Sequence, residues 1–290
     1  MLRSLRLAAG DEVLVLSHGY PAVRNAVRYV TEGAGARITE AAVPFPRPQP
    51  AAIVAAIAAA LTPRTRIAVI DHITSSSALV LPIVEIVALC RSAGVPVLVD
   101  GAHAPGQLQL DLRAIGADCY VGNCHKWLCA PKGCGFLWAA PERQTDLHPV
   151  TVSHGSGKDF LAEFDWTGTA DRSAFLCVDA AIAFHRRLGG RELMARNAAL
   201  AAEAVSLLCR RLGTEPAAEP TMAGAMGVVR VPISGVGTPE RAAELRERLL
   251  DRRADAPLQA IGGGIWLRIS AHAYNELDDY DRLAEIIRGL

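Results

Sequence analysis

The chain has 290 residues, 51% of them hydrophobic, and its 30 basic and 30 acidic side chains leave no formal net charge. That much apolar material can build one large domain, or a large one with a smaller companion. The balanced charge argues against a nucleic-acid partner and against an acidic disordered arm. Residues 1–10 contain arginines but no uninterrupted apolar run, so they do not read as a signal peptide. Of the apolar stretches, 51–61 is too short to span a bilayer and 78–90 is interrupted by Pro82 and Glu85. The seven cysteines are odd in number and mostly sit in apolar surroundings, which fits reduced thiols in a cytoplasm.

In chain order, residues 12–16, 66–70, 95–99, 119–121 and 135–138 read as strands, with helical patterns at 21–31, 50–61 and 83–93. This alternation predicts an α/β fold with a mostly parallel sheet covered by helices. Ligands of such sheets gather beyond the carboxyl ends of the strands, where Asp71, Asp100 and the 123–126 segment fall. From Ala174 to Leu212 an Ala/Leu/Arg-rich stretch reads as helix, broken near Leu188-Gly189-Gly190. A Pro/Ala-rich loop follows, then strand 227–231, helix 239–252, strand 265–269 and helix 277–290. The expected division is a large domain over 1–175, then connecting helices and a small C-terminal α/β domain over 176–290.

Two motifs carry chemistry. The apolar run Val95-Pro96-Val97-Leu98-Val99 reads as a strand buried on both faces, and it ends at Asp100-Gly101-Ala102-His103. A buried aspartate needs a cation or donors, and a protonated pyridine ring is one such cation, which the pairing turns into an electron sink. The plainer alternative is a strand-end aspartate capping the next turn. Further on, Asn123-Cys124-His125-Lys126-Trp127 places a lysine in a segment whose only other charge, up to Trp138, is Lys132. An amine in apolar surroundings loses its proton readily and can hold an aldehyde as a Schiff base. The alternative is a snorkelling surface lysine. Lys132, in Pro131-Lys132-Gly133, reads as an exposed turn. Together Asp100 and Lys126 are the acid and amine that pyridoxal 5'-phosphate (PLP) requires.

These motifs resemble the class V aminotransferase family of fold-type I PLP enzymes. The flanks Asp71-His72-Ile73-Thr74-Ser75, Tyr120 to Gly133 and Glu163 to Thr169 are similar to its isopenicillin N epimerase-like branch. The resemblance implies a catalytic set of Lys126, Asp100 and His103. Lys126 would hold the cofactor and shuttle protons at the substrate α-carbon, Asp100 would hold the pyridine nitrogen, and His103 would lie near the ring's 3-hydroxyl. Asn123 and His125 would meet the cofactor phosphate, Tyr20 would stack on the ring, and Ser75 would contact the 3-hydroxyl side. Thr169 would reach the phosphate of a neighbouring subunit, implying a homodimer with active sites at its interface. Arg268 would grip the α-carboxylate of an amino-acid-like substrate. Epimerisation, transamination and C–S lysis are all compatible with this set.

The chain departs from the family at its start, where a phosphate-binding loop and an arm over the active site would precede Met1. An alternative reading is therefore a truncated, non-catalytic fold-type I domain serving as a dimerisation or regulatory partner. Cys119, Cys124, Cys129 and Cys134 recur every five residues but lack Cys-x₂-Cys spacing, so buried thiols are expected there, not a metal site. No cysteine follows Cys209, which argues against desulfurase chemistry before Arg268; Gly262-Gly263-Gly264 reads as a turn. A nicotinamide-binding fold would need a glycine fingerprint after a strand, and none is found.

Overall fold

The computed structural model describes residues 1–290. Its elements, in chain order, are β1 (Glu12–Leu16), α1 (Pro21–Ala34), β2 (Arg37–Ala41), α2 (Pro50–Ala60), β3 (Thr65–Asp71), α3 (Ile83–Ser92), β4 (Val97–Asp100), α4 (Leu112–Ile115), β5 (Cys119–Asn123) and β6 (Gly135–Ala139). Then follow α5 (Phe160–Asp165), α6 (Ser173–Leu176), α7 (Val178–Arg187), α8 (Arg191–Leu212), β7 (Met226–Arg230), α9 (Pro239–Asp251), β8 (Leu258–Ile261), β9 (Gly264–Ser270) and α10 (Leu277–Arg288). The chain divides into two compact units, one of residues 1–42, 54–72 and 82–184, the other of 43–53, 73–81 and 185–290.

The first unit holds a six-stranded sheet in the order β2-β1-β3-β4-β5-β6. Its first five strands are parallel, and β6 returns antiparallel to β5. Strands β1, β3 and β4 are buried along nearly their whole length, as continuous Val/Ile/Leu runs require when helices cover both faces. Val13, Val15, Ile67, Val69, Leu98 and Cys119 share one core cluster. Strand β2 was not foreseen: Arg37-Ile38-Thr39-Glu40-Ala41 lies at the sheet edge, largely unburied, so its polar composition hides it. Helix α1 runs on past the expected stop at Thr31 to Ala34, where Gly35 in the left-handed region closes it.

The second unit holds a three-stranded antiparallel sheet, β7-β9-β8. Leu208, Leu212, Val229, Leu245, Leu249, Leu267, Ile269 and Tyr280 belong to its core, drawn from α8, α9, α10 and the strands. Strand β8 was also missed, being only four residues long. The glycine run anticipated as a turn connects β8 to β9, with Gly262 at φ 57° and Gly263 at φ 75°. No helix is long and apolar enough to cross a membrane.

Candidate active site

In the first unit the carboxyl ends of the central strands bring its chemistry together. Asp71 ends β3 and Asp100 ends β4, and the two are direct partners in the parallel register. Both are buried, at 5% and 7% exposure. The Asp100 carboxylate accepts the Ala102 N–H at 3.0 Å. Burial raises its pKa, against the pull of the Ala102 N–H and the Lys126 charge. Asp71 is pushed up to about 8, first by burial and then by the Asp100 charge, while its own N–H and that of Tyr20 hold it down. At neutral pH Asp71 therefore holds a proton, while Asp100 is raised by burial and drawn back down by the Ala102 N–H and the Lys126 charge.

Behind the pair lies a buried polar contact, His72 Nδ1 to Tyr120 hydroxyl, 2.8 Å. Burial brings His72 down to about 4, so its ring is neutral at pH 7. The Tyr120 ring crosses so close to Gly101 that a Cβ there would stand 2.2 Å from its ring and hydroxyl atoms. A glycine is therefore required directly after Asp100.

The turn after β4 delivers His103, and the loop after β5 delivers Lys126. Lys126 Nζ lies 3.2 Å from His103 Nε2, and the Trp127 indole N–H lies 3.3 Å from His103 Nδ1. The Lys126 loop is fastened through one atom: the Cys134 carbonyl accepts the Cys124 N–H (3.1 Å), the His125 N–H (3.2 Å) and His125 Nδ1–H (2.6 Å). The last of these fixes the proton of a neutral His125 on Nδ1, so the ring donates from Nε2 only when doubly protonated. Around the loop Cys124, Ala130, Cys134 and Ala181 form an apolar cluster, and burial raises the Cys124 thiol to about 11.

Asp100, His103 and Lys126 thus come together, with Tyr20 tied to the neighbouring carboxyl through its backbone N–H. Tyr20 starts α1 and is 47% exposed. Asn123 is the last residue of β5, opposite Gly135 of β6. Thr169 is exposed on the loop between α5 and α6, and Lys132 is exposed as expected of a turn. Ser75 and Arg268 belong to the second unit, where Arg268 Nη1 donates to the Ser75 carbonyl (2.6 Å) and hydroxyl (3.2 Å). Cys129 and Cys177 are exposed and the other five cysteines are buried; no cluster of three His, Cys, Asp or Glu side chains suits a metal ion. Sequence reasoning gave no role to Asp71 as a carboxyl partner, to His72 and Tyr120, or to Trp127. The motifs contained these residues, but only strand register and loop geometry reveal what they touch.

The family model described as aminotransferase class-V matches residues 1–283. The chain belongs to the class-V aminotransferase family. This class-V chain is 37% identical over 306 residues to an isopenicillin N epimerase of Streptomyces clavuligerus, covering 99% of itself and 76% of the epimerase. It is 35% identical over 314 residues to putative L-cysteine desulfhydrase 1 of Oryza sativa subsp. japonica, covering 98% of itself and 65% of the rice protein's length. Among solved structures, a complex of the cystine C-S lyase C-DES with its product cysteine persulfide shares the fold, with TM-score 0.79 and 23% identity over 99% of this chain and 77% of the lyase. The PLP-dependent fold-type I architecture expected from the motifs is thereby established.

The side chains of this class-V member fit the family's cofactor. PLP presents an aldehyde, which an amine such as Lys126 can hold, and a protonated ring nitrogen, whose N–H can donate a hydrogen bond to the buried Asp100 carboxylate. Asp100 lies in an environment that resists its charge, which is the condition under which a cationic partner is worth most.

Proposed function

We propose that this chain forms the PLP-binding and proton-transferring part of an enzyme acting on an amino acid or a small amino-acid-derived amine. The observation that carries this reading is the approach of Lys126 Nζ to His103 Nε2 at 3.2 Å, beside the strand that ends in buried Asp100. Bound PLP would supply an electron sink for a negative charge at the substrate α-carbon. Lys126 would hold the cofactor and then take and return the α-proton at Nζ. Asp100 would keep the ring nitrogen protonated, and Tyr20 would lie against the ring. Asn123 and His125 would serve the phosphate. For Arg268 we propose a substrate α-carboxylate, which suits its planar fork, with Ser75 as the group that now orients it.

Return of the proton to the α-carbon gives epimerisation, and departure of a sulfur group from the β-carbon gives C–S lysis. The similarity to proteins named for each supports both outcomes within one site. A homodimer is part of the proposal. Val150, Val152, Leu161 and Leu176 are 69 to 82% exposed on the segment that also carries Thr169, an apolar surface that a second copy would cover. Seven unpaired thiols support a reducing, cytoplasmic setting.

The deciding experiment is the absorbance spectrum of the chain with PLP, before and after borohydride. A visible band trapped by borohydride and absent from Lys126→Ala is expected. A folded chain that forms no such band, or a Lys126→Ala variant that keeps it, would overturn the proposal.

A further inference from the structure

His103 is approached by one nitrogen group at each ring nitrogen: Trp127 Nε1 at 3.3 Å from Nδ1, and Lys126 Nζ at 3.2 Å from Nε2. The two approaches are not independent. An indole N–H can only donate, so Nδ1 is the acceptor of that bond. A neutral imidazole carries a single ring proton, which must then sit on Nε2. The Nε2–H bond points at Lys126 Nζ, where a neutral amine offers a lone pair and an ammonium offers only another proton. If the lysine were charged, Nε2 would have to accept from it and Nδ1–H would face the indole N–H. A doubly protonated ring would oppose both neighbours.

We propose that Trp127 is a positioning residue: by donating to His103 Nδ1 it fixes the Nε2–H tautomer, and that ring in turn holds the Lys126 amine in its neutral, nucleophilic form. This rests on the assignment of Lys126 as the cofactor-holding amine and adds to it the means by which that amine is kept ready.

The other groups around Lys126 are consistent with a need for such a device. Asp100, ending β4, couples to the lysine charge and favours the ammonium form. Asp71, ending β3, holds the pair's proton near neutral pH and adds little further attraction there. On the lysine's own loop, His125 is turned to the Cys134 carbonyl, and the Cys124 and Cys129 thiols have pKa values raised by burial, so they stay uncharged. The Trp127–His103 contact therefore opposes the pull of the Asp100 carboxylate on the Lys126 charge. Trp127 is itself held in place: it is buried, and Gly106, at φ 82°, lies so close to its main chain that a Cβ would stand 2.5 Å from the Trp127 carbonyl carbon.

The test has two readouts on the full chain. Long-range ¹⁵N–¹H correlation spectra of the protein without PLP, with His103 assigned by loss of its signals in His103→Gln, should show Nδ1 unprotonated and Nε2 protonated. Independently, the rate at which PLP is captured on Lys126 and fixed by borohydride should be followed against pH in the wild type and in Trp127→Phe. Loss of one hydrogen bond that sets the tautomer should move the midpoint upward by about one pH unit, which is about tenfold slower capture at neutral pH. A proton on Nδ1 in the wild type overturns the inference without any variant, so a poorly folded Trp127→Phe does not shelter it. An unchanged midpoint in a folded Trp127→Phe overturns it equally. Capture on a lysine other than Lys126 would instead overturn the functional assignment on which it rests.

Discussion

Asp71 shows what a single buried proton does to this molecule. Its folded pKa of about 8 stands far above the ordinary carboxyl value of 3.8. Below about pH 4 the carboxyl is protonated in both folded and unfolded chains, and the shift has no effect on stability. Between about pH 4 and 8 the unfolded chain releases a proton that the folded chain retains, so stability falls as pH rises through that window and levels off above it. Asp71→Asn keeps the shape and an acceptor for the Tyr20 N–H but has no charge to bury. Its urea midpoint should rise relative to wild type between pH 5 and pH 8, by at most about 1.4 kcal/mol per pH unit in ΔG. An equal difference at both pH values would refute this. The Asp100–His103–Lys126 set was legible in the sequence because each member lies within a short motif of unusual composition. The Asp71–Asp100 and His72–Tyr120 contacts were not, because each joins different strands and depends on a register no local pattern encodes.

Among the elements, the buried strands declared themselves and the edge or short ones did not. Strands β1, β3 and β4 are runs of apolar residues, and their positions were anticipated to within two residues. Strand β2 carries Arg37, Thr39 and Glu40 on a sheet edge, and β8 offers only Leu258-Gln259-Ala260-Ile261 beside a glycine turn. Such segments are strands because a neighbour pairs with them, not because of their own composition. The end of β4 is the most constrained junction. At Gly101 an added methyl would need more than an ångström of retreat by the Tyr120 ring, which projects from β5, is fully buried and stacks near Phe136 with ring centroids 6.3 Å apart. Gly101→Ala should destabilise the chain by about 1–3 kcal/mol, as overpacking does. A thermal melt unchanged from wild type would show that the ring can move aside.

For the whole molecule, the exposed apolar segment is where the proposed dimer can be tested. Leu176 is 82% exposed and Val152 80%, on a unit whose sheet is otherwise well covered. Sedimentation of the wild type should show a dimer, with Leu176→Glu shifted toward monomer and its circular dichroism unchanged. A wild type that stays monomeric at tens of micromolar would remove the dimer from the proposal. The fold class was readable at this scale because alternating helices and strands permit few architectures, whereas the exposure of Val152 and Leu176 appears only once the chain is folded.

The carbonyl of Cys134 bears on how the lysine loop moves in time. It gathers three N–H groups from Cys124 and His125, and the Ala130 N–H returns to the Cys124 carbonyl at 3.0 Å. Displacing the Cys134 carbonyl would release all three donors at once, because they share that acceptor. The backbone from Cys124 to Ala130, held at one carbonyl just before β6, is therefore expected to exchange its amide protons as one unit, Cys124 and His125 together.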